Sequence, residues 1–93
     1  MNTVDSDLGV NPRPCLRRMF RLQWEPAQDG YVLLYPEGMV KLNPSAGAIL
    51  ARCDGTRELD DIIGELEELF SASDLAPDVH RFLWHARQRG WVD

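Results

Sequence analysis

The spacing of apolar positions changes period along this chain of 93 residues, and each period predicts a different element. From Arg17 onward, Arg18, Phe20, Leu22 and Trp24 alternate with Arg17, Met19, Arg21 and Gln23, which is the two-residue period of a half-buried strand. Glu25 to Gly30 then reads as a polar turn. Tyr31 to Tyr35 is apolar on both faces, as suits the middle strand of a three-stranded meander. Pro36-Glu37-Gly38 supplies turn chemistry, and Met39 to Leu42 returns as a short third strand at an edge of the sheet.

Beyond Asn43 the period becomes helical. Asn43 is placed to cap a helix, and Pro44 at its first position brings a preset φ and lacks only an N–H that no helix would use. Ala46, Ile49, Leu50 and Cys53 share one face, and Gly55 after Asp54 offers a left-handed stop. A second helix carries Leu59, Ile62, Ile63, Leu66, Leu69 and Phe70 on its apolar side, with Glu58, Asp60, Asp61, Glu65, Glu67 and Glu68 around the remainder. A third runs from about Pro77 to Arg89, with Val79, Phe82, Leu83 and Ala86 as its core stripe. Gly90 ends it, and Trp91 and Val92 are expected to fold back onto the core. Residues 1–14 hold scattered apolar positions among Asn, Asp, Gly, Pro and Ser, and are expected to form a flexible arm that orders only against a partner. Residues 15–93 then make one α+β domain, a three-stranded antiparallel sheet followed by three helices, closed in the manner of a winged helix-turn-helix.

Composition narrows what such a domain could do. Fifteen acidic against ten basic residues leave a net charge of −5, which opposes nonspecific attraction to phosphate backbones and to anionic membranes. No run approaches the roughly 18 apolar residues of a spanning helix, and the polar start lacks the features of a secretory signal, so the expected location is the cytoplasm. Two cysteines, Cys15 and Cys53, form no CxxC pair and are read as reduced thiols, Cys53 as a small core residue.

Candidate chemistry is sparse. His80 and His85 lie about 140° apart round a helix, so they cannot grip one metal ion from one face. The acids of the second helix read as solvation and as complements to the helix dipole; a calcium loop would need a glycine and a spacing that are missing. No nucleophile has a recognisable base, no glycine-rich loop follows a strand, and no enzyme, cofactor or metal site is expected. Trp84 stands apart from the core stripe, with His80 and Arg87 as its neighbours on the helix. It either covers another part of the same chain or anchors a partner, a role in which Trp and Arg are enriched.

A winged helix serves two kinds of ligand. Arg81, Arg87 and Arg89 make the last helix locally basic, but the cations do not form one stripe, and the acidic second helix disfavours DNA. The alternative is an extended peptide added to the open edge of the sheet. An open strand edge and a free arm also permit dimerisation.

The series RLQWE at 21–25, LLYPEGMVKLN at 33–43, SAGAIL at 45–50, CDG at 53–55 and GWV at 90–92 resembles the PqqD family of pyrroloquinoline quinone (PQQ) biosynthesis, over about residues 14–93. One departure is Met19, where the family pattern has a small glycine after the arginine pair. The resemblance implies a peptide chaperone that binds the precursor PqqA and presents it to PqqE, a radical S-adenosylmethionine enzyme. It also implies a peptide paired with the third strand and lying against the third helix. On this chain that selects Met39, Val40, Lys41 and Leu42, while helical geometry adds His80, Arg81, Trp84 and Arg87 as groove residues. The iron–sulfur cluster and S-adenosylmethionine would belong to the partner, because two cysteines cannot ligate a cluster held by four.

Overall fold

The computed structural model describes residues 11–93. Three strands, β1 (Arg21–Glu25), β2 (Gly30–Tyr35) and β3 (Gly38–Lys41), precede three helices, α1 (Pro44–Ala51), α2 (Leu59–Leu69) and α3 (Ala76–Gln88). The sheet is antiparallel in the order β1-β2-β3, with Leu22 opposite Leu33 and Leu33 opposite Val40. Residues directly opposite one another share a face, so Leu22, Leu33 and Val40 lie together towards the helices, and Gln23, Val32 and Lys41 lie on the outer side. The core joins Leu33 to Ile49, Leu50, Cys53, Ile62, Leu66, Val79, Leu83 and Val92, all buried.

The first strand begins later than its alternation predicts. Arg17 donates its N–H to the Trp91 carbonyl at 2.8 Å, and Phe20 N–H turns back to the Arg17 carbonyl at 3.0 Å, so residues 17–20 form a turn and pairing starts at Arg21. Met19 therefore lies in that turn, 65% exposed, and not on the strand in which the alternation placed it. Asp29 adopts a left-handed φ of 51° after the 3-10 turn Pro26–Gln28 and redirects the chain into β2.

Helix α1 starts as its sequence dictates. The Asn43 side chain accepts from Ala46 N–H at 2.7 Å, with Pro44 at the first position. Its end differs from expectation, since the helix stops at Ala51 and Gly55 serves another purpose. Gly55, at φ +83°, donates its N–H to the Pro14 carbonyl at 3.1 Å, so the left-handed residue shapes the loop where it meets the N-terminal segment. Cys53 lies past the helix end but is 3% exposed, its thiol 3.2 Å from the Ile49 carbonyl. Gly47 allows α1 to approach β2 closely: a Cβ there would stand 2.8 Å from the Tyr31 ring.

On α2 the buried face is Leu59, Ile62, Ile63 and Leu66, whereas Leu69 and Phe70, expected in the core, are 56% and 41% exposed. Leu69 is the last residue of the helix and Phe70 its cap, so the period keeps both on the apolar side but at an end that the rest of the domain leaves partly uncovered. Helix α3 closes with Gly90 at φ +77°, Gly90 N–H on the Arg87 carbonyl and Trp91 N–H on the Ala86 carbonyl, both 2.9 Å. This double bond pattern satisfies the last carbonyls and turns Trp91 and Val92 onto the core, as expected.

Of the arm expected over residues 1–14, residues 1–10 lie outside the described residues. Residues 11–14 are seated: the Pro12 carbonyl accepts from Leu59 N–H at 2.7 Å, and Pro14 is fully buried. The ladder continues through Leu16 N–H on the Cys53 carbonyl (2.9 Å) and Asp93 N–H on the Cys15 carbonyl (3.1 Å). A seam of three segments, Pro12–Arg17, Cys53–Gly55 and Trp91–Asp93, thus closes one side of the domain.

Candidate peptide-binding site

Among the described residues, strand β3 has a partner on one side only. Leu42 N–H donates to the Tyr31 carbonyl at 3.0 Å, which makes Tyr31 and Leu42 a hydrogen-bonded pair. Alternation along the register then makes Leu33–Val40 and Tyr35–Gly38 hydrogen-bonded pairs as well. Val40 and Leu42 therefore point their backbone N–H groups into the sheet. Met39 and Lys41 point theirs out, leaving an unfilled ladder edge.

Beside that edge lies a cavity of about 520 Å³, lined by Val40, Lys41, Leu42, Asn43 and Ala46 on one side and Phe82, His85, Ala86, Arg89 and Trp91 on the other. The helical wall follows from spacing. Phe82, His85, Ala86 and Arg89 fall within one narrow stripe of α3, on the flank of the core face.

Of the residues selected from sequence, Val40, Lys41 and Leu42 line this groove, and Met39 continues the same edge, 49% exposed. None of His80, Arg81, Trp84 and Arg87 lines it. His80, Trp84 and Arg87 centre on the side of α3 roughly 180° from the Phe82–Arg89 stripe. Trp84 is 42% exposed and meets the His85 ring edge-to-face at 5.1 Å. Arg81 is tied to Asp78 at 3.1 Å. Sequence reading missed His85, Arg89 and Trp91 and assigned Phe82 and Ala86 to the core alone. The signal was the row at 82, 85, 86 and 89, but its meaning depends on which flank of α3 faces β3.

Among the described residues, no carboxylate pairs with Lys41 or Arg89 at the groove, as none does with Arg17, Arg18, Arg21 and Arg87 elsewhere, whereas Arg13, Arg52, Arg57 and Arg81 hold acidic partners. Arg89 lies over the Trp91 ring, 5.6 Å from its centre, which stiffens both at the groove's end. The groove is an apolar trough with unpaired cations on its rim, in a chain of net charge −5.

The groups whose titration the fold shifts lie outside this lining. Burial pushes the Cys53 thiol up to about 12, with Cys15, Asp54 and Asp93 adding to the rise, so the sulfur stays neutral and is a poor nucleophile. The Thr56 hydroxyl, at 2.6 Å, and its N–H, at 2.9 Å, both donate to Asp54 and hold that carboxyl below its ordinary range. These are structural perturbations at the seam. Among the described residues no group of three or more His, Cys, Asp or Glu is gathered where it could hold a metal, and no helix is long and apolar enough to cross a membrane.

An α+β winged-helix domain with an open strand edge beside an apolar helix groove has the geometry by which peptide-recognition modules add a strand. Comparison with known proteins agrees with that class. A family described as Coenzyme PQQ synthesis protein D (PqqD) matches residues 30–92. A PqqA binding protein of Azotobacter vinelandii is 54% identical over 89 residues, covering 95% of this chain and 97% of the relative. One from Methylococcus capsulatus is 48% identical over 77 residues, covering 83% of each. The solution NMR structure of the PqqD truncation of Methylobacterium extorquens PqqCD, described as a functional and stand-alone RiPP recognition element, superposes with a TM-score of 0.71 at 27% identity, covering 86% of this chain and 87% of that one. The chain belongs to the PqqD family.

Proposed function

We propose that this chain is a RiPP recognition element that binds the precursor peptide PqqA during PQQ synthesis, by adding it as a fourth strand to β3, and presents it to the radical S-adenosylmethionine enzyme PqqE in the cytoplasm. The observation that carries the reading is the outward-facing N–H groups of Met39 and Lys41 beside a groove of about 520 Å³ between β3 and α3. The names of the relatives support the identity of the peptide. Main-chain pairing supplies sequence-tolerant affinity, the groove selects side chains, and ordering the peptide beforehand spares the enzyme that entropic cost. Such work needs no cofactor and no catalytic residue in this chain.

Proline substitution tests the edge. Lys41→Pro removes an outward N–H and should leave the domain folded while abolishing binding of PqqA peptide in a calorimetric titration. Val40→Pro removes an inward N–H and should unfold or strongly destabilise it. If Lys41→Pro binds PqqA as the parent does, strand addition at β3 is wrong. Duplex DNA at physiological salt serves as the control ligand and should not bind, and an affinity that falls with protein concentration would reveal a second copy of β3 competing for the same edge.

A further inference from the structure

A second cavity, of about 350 Å³, adjoins the groove and shares Asn43, Ala46 and Phe82 with it. Its remaining walls are Ser45, Ile49, Leu66, Phe70, Leu75, Asp78 and Val79, contributed by the three helices and the loop before α3; no strand residue lines it. Its polar residues, Asn43, Ser45 and Asp78, are all exposed and stand among seven apolar ones. The Asn43 carboxamide oxygen accepts from Ala46 N–H and from the Ser45 hydroxyl, and Asp78 is bound to Arg81. Most of the surface that would meet a ligand is hydrocarbon and aromatic, with Phe70 41% exposed at the rim although the helical period alone would have buried it.

Building on the strand-addition reading, we propose that this pocket is a specificity site for one bulky apolar side chain of the bound peptide, from a residue that has run past the end of β3. The occupant follows from continuity. A chain paired along Met39 and Lys41 leaves the ladder at Asn43, where the shared walls of the two cavities lie. The residue it then presents to the helices meets walls made mostly of Ala46, Ile49, Leu66, Phe70, Leu75, Val79 and Phe82, so a large apolar side chain is favoured over a charged or amide one, which would lose its hydration there. Phe82, which lines both cavities, is the partition between the site that reads main chain and the site that reads this side chain.

The test uses the full chain and PqqA peptides in which each bulky apolar residue is replaced in turn by alanine. Ser45→Trp narrows the pocket and Phe70→Glu places a charge on its wall, both at exposed positions. Each should weaken PqqA binding about tenfold or more. One alanine-substituted peptide should bind the parent protein equally weakly and should be insensitive to Ser45→Trp. The pocket assignment is overturned if both protein variants bind PqqA with parental affinity, or if every alanine peptide keeps its full sensitivity to Ser45→Trp. Lys41→Pro separates the two readings: loss of binding there with parental affinity in Ser45→Trp and Phe70→Glu overturns the pocket alone, whereas parental affinity in Lys41→Pro overturns strand addition.

Discussion

The seam that joins the two ends of the described chain and the groove between β3 and α3 treat polar groups in opposite ways. At the seam the backbone of Pro12–Arg17 is matched to Cys53–Gly55 and Trp91–Asp93, the Asp93 carboxylate accepts from Cys15 N–H at 3.2 Å, and Pro14 and Cys53 are sealed from water. At the groove the N–H groups of Met39 and Lys41 are unclaimed, and Lys41 and Arg89 have no acidic partner among the described residues. Trp91 belongs to both, its carbonyl holding Arg17 and its side lining the groove. The contrast teaches where each kind of free energy resides. Satisfied groups contribute to folding, and unsatisfied ones are held ready for a ligand. Substitutions at the seam should therefore move stability and spare affinity, and substitutions at the groove should do the reverse.

The largest effect on the seam side should come from alkali. Cys53 has an ordinary thiol value of 9.0 that rises to about 12 in the fold, chiefly through burial. A raised value means that the folded state holds its proton while the unfolded chain releases it. Its contribution is fully present below pH 9 and is lost as pH climbs towards 12, by roughly 1.4 kcal/mol for each unit. Urea unfolding at pH 8 and pH 10.5, in the parent and in Cys53→Ala, isolates this contribution. The parent should lose about 2 kcal/mol more than the variant. Equal losses would mean that the thiol is not held in the sealed environment described.

On the groove side, Phe82→Ala should weaken PqqA binding by about 2 kcal/mol, roughly thirtyfold, as expected for a central aromatic wall. Trp84→Ala, two residues along the same helix but on the opposite side, should change peptide affinity less than twofold. Titration of both variants decides between the faces. A large loss for Trp84→Ala and none for Phe82→Ala would move the groove to the other side of α3.

That pair also marks how far the sequence could be read. The elements were legible because each has local causes: the Asn43 cap with Pro44, the Pro36-Glu37 turn, the α2 period, and Gly90 with Trp91 behind it. The edge strand was legible for the same reason. The helical wall of the groove was not, because Trp84 was chosen for being off the core stripe, and a single helix does not say which flank its neighbour will occupy. His85 and Arg89 acquire meaning only once β3 is placed beside them. Glu65 shows the same limit: its position suggested a free surface acid, yet it bridges Arg52 at 2.9 Å and Arg57 at 3.2 Å.

A smaller seam effect is expected at Gly55. Its φ of +83° is unfavourable for any residue with a Cβ, and an added Cβ would stand 3.4 Å from the Cys15 sulfur, a distance of ordinary contact. The cost of Gly55→Ala is thus one of backbone conformation, about 1–2 kcal/mol. Chemical unfolding should show that loss, with the Kd for PqqA unchanged. A matching loss of affinity would mean that the seam and the groove are energetically coupled through Trp91.

The smallest expected effect, and the control for the rest, is at Gly64 in the interior of α2. A Cβ built there meets nothing within 4 Å, and the residue is exposed, away from both the seam and the groove lining. Alanine restricts the unfolded chain and favours helix without new contacts, so Gly64→Ala should stabilise the domain by about 0.5–1 kcal/mol. The urea midpoint should rise with an unchanged slope, the mark of added stability without a change in the surface exposed on unfolding. PqqA affinity should stay where it is, because a ligand responds to a substitution only through differential contacts with the states it distinguishes. If affinity rises together with stability, the unbound domain populates a form in which the groove is not assembled, and the separation between a closed seam and a ready groove fails.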